Sequence, residues 1–125
     1  MVTVSMRHGG TAVAQLPQDV DYDSVPHIVD QCEHLIRQGC TTLVLDASQV
    51  QYLDSSGISM IITLANALVA QTGTLRLAGL NAHYQQVWGR LGLDTLLPVT
   101  RTVSAALSPQ SAGQPSSSAA RTNRP

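Results

Sequence analysis

The densest group of chemically useful side chains lies in Tyr52-Leu53-Asp54-Ser55-Ser56-Gly57-Ile58. A carboxylate and two hydroxyls stand there between a strand pattern and a helical one. Asp and Ser at such a boundary accept hydrogen bonds from the unpaired amides of a first helical turn. A helix cap alone would account for them. The same placement also exposes a serine hydroxyl at the positive end of a helix dipole, where a phosphate would meet amides. Phosphorylation there would add roughly 1.5 to 2 negative charges to a surface without dismantling the fold.

The elements that must position this turn follow from periodicity. Val2, Val4 and Met6 alternate with polar neighbours, as in a half-buried strand, and Gly9-Gly10 supplies a hairpin turn to a second strand from Thr11 to Leu16. Pro17 and the acidic run Asp19, Asp21, Asp23 mark a loop. Asp23 or Ser24 would cap a helix that runs to about Gln38 and stops at Gly39. Its apolar stripe is Val25, Ile28, Val29, Cys32, Leu35 and Ile36. Thr42-Leu43-Val44-Leu45 fits a central strand covered on both faces. A helix is expected from about Gly57 to Gln71, a strand from Leu75 to Leu80, and a helix capped by Asn81. Leu96 to Val99 suits a last short strand, and Val103 to Leu107 a final helical turn or two. These elements predict an α/β fold: a mixed four- to five-stranded sheet with an N-terminal hairpin and helices packed against it. Residues 1–107 form that domain. From Ser108 the chain turns to Ser, Pro, Gln and Ala without periodicity, so residues 108–125 are expected to be disordered.

Bulk properties narrow the function classes. The chain has 125 residues, enough for one core without disulfide or metal staples. Its net charge is −1 and it has no lysine, so no basic footprint for nucleic acid or anionic lipid exists. The two cysteines, Cys32 and Cys40, suit neither a disulfide framework nor a zinc site and read as free thiols. No signal peptide or bilayer-length apolar run is present, which predicts a cytoplasmic protein.

The stretch Leu43-Val44-Leu45-Asp46, six residues, then Leu53-Asp54-Ser55-Ser56-Gly57-Ile58 resembles the signature of STAS domains in bacterial anti-sigma factor antagonists. The likeness runs from about residue 2 to residue 107. It takes in Asp19-Val20-Asp21 and, later, Leu91-Gly92-Leu93-Asp94 with Leu96-Leu97-Pro98-Val99. The resemblance implies a stand-alone STAS domain that is not an enzyme and needs no cofactor. Ser55 corresponds to the family's phosphoacceptor, with Ser56 as the nearer competitor, and Asp21 to an aspartate that helps the partner kinase engage. The implied partners are an anti-sigma factor of the serine-kinase type and a serine phosphatase; the free protein would be a monomer. Two positions depart from the pattern: Gln18 and Ser59 stand where the family usually has glycine.

On the helix after the motif, Ser59, Thr63, Asn66 and Ala70 make one narrow small or polar stripe, and the rest is apolar. That arc is about twice the ~100° a core-facing stripe needs. Either neighbours cover it deeply, or one flank, Met60, Leu64 and Ala67, stays exposed for a partner. Together with Asp21, Asp54, Ser56 and Gly57, this flank is the expected partner-binding surface.

Other constellations carry less. His27, Asp30 and His34 share a helix face that is predicted to be solvated, so no metal site is expected. A serine-hydrolase reading through His83 lacks the elbow motif. Tyr84 and Trp88 read as packing. Two rival roles remain: a fixed, non-phosphorylated STAS subunit of a larger assembly, such as a stress-signalling scaffold or a lipid-transport complex, and a small-nucleotide-binding module.

Overall fold

A computed structural model describes residues 3–107; the expected tail at 108–125 lies outside the described residues. The chain opens with β1 (Thr3–His8) and β2 (Thr11–Gln15), an antiparallel hairpin with a bulge between Val4 and Met6. Gly9 makes the turn possible at φ 59°, which side chains with a Cβ seldom adopt. Then follow β3 (Asp19–Val20), α1 (Val25–Arg37), β4 (Thr42–Asp46), β5 (Tyr52–Leu53) and α2 (Ser55–Ala70). The remaining elements are β6 (Thr74–Ala78), α3 (Ala82–Arg90), α4 (Leu93–Leu96), β7 (Val99–Thr100) and α5 (Val103–Leu107).

Five strands form one sheet in the order β1-β2-β4-β6-β7; β1 is antiparallel to β2, and the other four run parallel. The expected mixed sheet with its N-terminal hairpin is therefore present. The prediction for β4 also holds, because alternate residues feed different cores. Leu43 and Leu45 join the larger cluster with Ile28, Cys32, Ile61, Leu64 and Leu68, whereas Val44 joins Val13, Ala78 and Ala106 beneath α5. Being covered on both faces is what makes a parallel strand read as a continuous apolar run.

Two local expectations need correction. Leu96 to Val99 is not a strand: Leu93–Leu96 forms the short helix α4, and only Val99–Thr100 joins the sheet. Pro98, with no amide hydrogen, separates the two. Ser24, one of the two expected residues, is the N-cap of α1, but its side chain makes no capping bond to the helix amides. Asp21 Oδ1 accepts from the amides of Asp23 at 3.1 Å and Ser24 at 2.9 Å, while Ser24 Oγ donates to the Asp19 carbonyl at 2.9 Å. Asp21 thus closes the Asx turn that leads into α1, with its bonds going to amides that precede the helix. Asn81 does cap α3, its Oδ1 accepting from the Tyr84 amide at 2.9 Å.

Trp88 is 1% exposed, and its indole nitrogen donates to the Leu97 carbonyl at 2.9 Å. A buried indole needs such a partner, and this one fastens α3 to the chain entering β7. No helix among the described residues is long and apolar enough to cross a membrane.

Candidate functional site

The site is built on a second, two-stranded sheet that sequence periodicity did not reveal. β3 and β5 pair in parallel, Asp19 opposite Tyr52 and Val20 opposite Leu53. Two residues per strand are too few for a period to register. Around the ladder, the Gln51 and Tyr52 amides donate to the Gln18 carbonyl at 2.8 and 3.1 Å, and Gln18 Nε2 donates to Gln51 Oε1 at 2.7 Å. Gln18 thus joins the two loops through both its backbone carbonyl and its side chain.

Alternation places Val20 and Leu53 inward and Asp19 and Tyr52 outward. One step further along the same register come Asp21 and Asp54. The ladder therefore brings together the two aspartates singled out from the sequence, although 33 positions separate them.

Asp54 is the N-cap of α2, in extended backbone. Its Oδ1 accepts from the Ser56 amide at 2.9 Å and the Gly57 amide at 3.1 Å. The carboxylate, rather than a serine hydroxyl, thereby satisfies the orphan amides, a contribution of about 1 kcal/mol. The helix consequently starts at Ser55, two residues before the expected Gly57. Ser55 is exposed, and among the described residues no hydrogen bond engages its hydroxyl. Ser56 is half-buried.

Gly57 is needed for close approach. A Cβ there would lie 2.6 Å from Leu53 Cδ1, 2.8 Å from Val20 Cγ1 and 2.9 Å from the Val20 carbonyl oxygen. The first turn of α2 sits directly on the small ladder, and only a residue without a side chain fits.

The expected partner flank of α2 is corrected. Met60 is 3% exposed and Leu64 1%, both in the main core, and Ala67 is half-buried. The helix packs against both α1 and β6, so the wide apolar arc serves two neighbours. What α2 leaves in solvent is Ser55, Ser59, Thr63, Asn66, Val69 and Ala70, with Ile58 and Ile62 at the margin.

Sequence reasoning missed one contact of the turn. The hydroxyl of Tyr84, on α3, accepts from the Leu53 amide at 3.0 Å. No local pattern signals a contact across 31 residues. His83 is exposed beside it, and His27, Asp30 and His34 are exposed on α1. Among the described residues no group of three or more His, Cys, Asp or Glu gathers within reach of a metal ion. Cys32 and Cys40 are buried, and the Cys40 thiol donates to the Thr42 carbonyl at 3.3 Å.

Fold and site together define a small α/β domain of the STAS type. The family model described as "Mlab, STAS domain" matches residues 5–98, and the chain belongs to this STAS domain family. Comparison with curated proteins found no match. Among solved structures, the fold is similar to the anti-sigma factor antagonist SpoIIAA in its unphosphorylated form. That match has 23% identity and a TM-score of 0.73, covering 86% of this chain and 93% of that one. The Bacillus cell fate determinant SpoIIAA in its phosphorylated form is similar at 23% identity and TM-score 0.69, with 86% and 96% covered. An anti-sigma factor antagonist from Mycobacterium paratuberculosis is similar at 22% identity and TM-score 0.75, with 86% and 90% covered. At these identities the likeness establishes the fold and leaves the role to the chemistry of the site.

Proposed function

We propose that this chain is an anti-sigma factor antagonist controlled by phosphorylation of Ser55. Unphosphorylated, it binds an anti-sigma factor of the serine-kinase type and so releases the sigma factor. The kinase inactivates it by phosphorylating Ser55, and a serine phosphatase restores it. The observation that supports this reading is the division of labour at the start of α2: Asp54 accepts the cap amides, and the Ser55 hydroxyl is left exposed.

The switch would work by electrostatics. Asp19, Asp21, Asp23 and Asp54, four of the eight acidic residues of the chain, lie on the small ladder or in the turns that leave it. A phosphate beside them adds like charge to one surface, and misplaced like charge in an interface costs several kcal/mol. A loss of about 3 kcal/mol weakens binding roughly a hundredfold. The partner surface in this reading comprises Asp21, Asp54, Ser55, Ser56 and the exposed stripe Ser59, Thr63 and Asn66. Gly57 is buried behind this surface against Val20 and Leu53, and Ala67 lies half-buried at its margin.

The test is phosphosite mapping and intact mass of the protein from its native host, beside Ser55→Ala. One phosphate on Ser55, absent in the variant, is the expected result. Binding to the identified anti-sigma factor should persist in Ser55→Ala and weaken about a hundredfold in Ser55→Asp. Equal affinities of the two variants would sink the switch.

A second reading is favoured by the matching family model, which is described for Mlab rather than for the antagonists. In it the chain is a non-phosphorylated subunit of a larger assembly, and Asp54-Ser55 is only a helix start. Ser55 without phosphate under every growth condition would select it.

A further inference from the structure

We propose that Tyr84 is a positioning residue for the Ser55 turn, so that helix α3 sets how Asp54 and Ser55 are presented to a partner. Strand β5 belongs to a two-stranded sheet and has β3 on one edge only. The amides of Tyr52 and Asp54 face that edge, donating to the carbonyls of Gln18 at 3.1 Å and Val20 at 3.2 Å. Amides alternate along an extended strand, so the one between them, that of Leu53, points the other way. No strand lies there among the described residues. The Tyr84 hydroxyl takes the place of a ladder carbonyl, accepting the bond at 3.0 Å.

This contact is not incidental packing. Leu53 is 6% exposed, and without Tyr84 its amide would be buried with no acceptor. Helix α3 grips the same segment at a second point, Asn81 Nδ2 donating to the Val50 carbonyl at 3.4 Å. Asn81 also caps the turn that carries Tyr84. The tyrosine ring packs against the main core, which fixes the hydroxyl relative to the sheet. Beyond Leu53 the next residue is Asp54, whose carboxylate organises the amides of Ser56 and Gly57 around Ser55. Tyr84 therefore acts on Ser55 through one backbone amide and one cap.

The experiment is Tyr84→Phe in the full chain, which keeps the ring and removes one oxygen. Hydrogen exchange is read at the amides of Leu53, Ser56 and Gly57, with Leu43 and Leu45 of β4 as reference. About tenfold faster exchange at all three, with β4 unchanged, is expected from losing one bond that orders the turn. Faster exchange at Leu53 alone would make the contact purely local and overturn the proposal. Equal acceleration in β4 would make it general packing and overturn it as well. A second readout rests on Ser55 being the phosphoacceptor: the phosphorylated fraction in the native host should fall in Tyr84→Phe, and an unchanged fraction overturns the claim about presentation. Wild-type protein carrying no phosphate would instead remove the phosphorylation reading, and hydrogen exchange alone would judge Tyr84.

Discussion

The amide of Asp54 donates to the carbonyl of Val20 at 3.2 Å, tying the cap of α2 to the strand that leads into Asp21. Two loops from distant parts of the chain are thereby held as one surface. Its rigidity comes from three directions: the β3–β5 ladder, the Tyr84 hydroxyl on the opposite edge, and Gly57 pressed against Val20. A group added at Ser55 would act on this assembled surface rather than on a free loop.

Gly57→Ala sets two effects against each other. Alanine is favoured over glycine inside a helix by about 1 kcal/mol. Here its methyl would stand 2.9 Å from the Val20 carbonyl oxygen and 2.8 Å from Val20 Cγ1. The tip of Leu53 can move aside, but the backbone of a ladder strand cannot, and overpacking of this kind costs about 1–3 kcal/mol. Urea unfolding should show a net loss of about 1 kcal/mol or more. A gain in stability would mean that the small ladder yields.

Leu64→Ala and Thr63→Arg test which way α2 faces. Leu64 is 1% exposed within the main core, so its truncation should cost about 2–5 kcal/mol. Thr63 is exposed, and even arginine there should shift stability by no more than about 0.5 kcal/mol. Denaturant midpoints of the two variants decide it. A severe loss in Thr63→Arg with a mild one in Leu64→Ala would turn the helix round.

Cys32 should make stability decline in alkali. Burial first, then the neighbouring Cys40 and Glu33, push its thiol up from 9.0 to about 12. The folded state thus keeps the proton at pH values where the unfolded chain has lost it. Stability is fully present below about pH 9 and falls as pH rises from there toward 12. Melting temperature should drop between about pH 9 and 11, and less steeply in Cys32→Ala. The same slope in both would assign the decline to other groups. Native Cys32 should also react with alkylating reagents far more slowly at pH 8 than after unfolding, because the thiolate is the nucleophile.

The sequence by itself determined the order of the main elements, the mixed sheet with its hairpin, and the presence of a helix after the Asp54-Ser55-Ser56-Gly57 turn, though not the residue at which it starts. Each is a short-range property: alternation in the hairpin, an unbroken apolar run in β4, a 3.6-residue stripe in α1, a cap before Ser55. Only the tertiary structure decided which flank of α2 is covered. Its apolar arc allows more than one orientation, and the neighbours α1 and β6 choose between them, burying Met60 and Leu64. The β3–β5 ladder is likewise invisible locally, since two-residue strands gain their stability from pairing with a distant segment. Tyr84 belongs with it: a hydroxyl that meets an amide 31 residues away leaves no trace in spacing or composition.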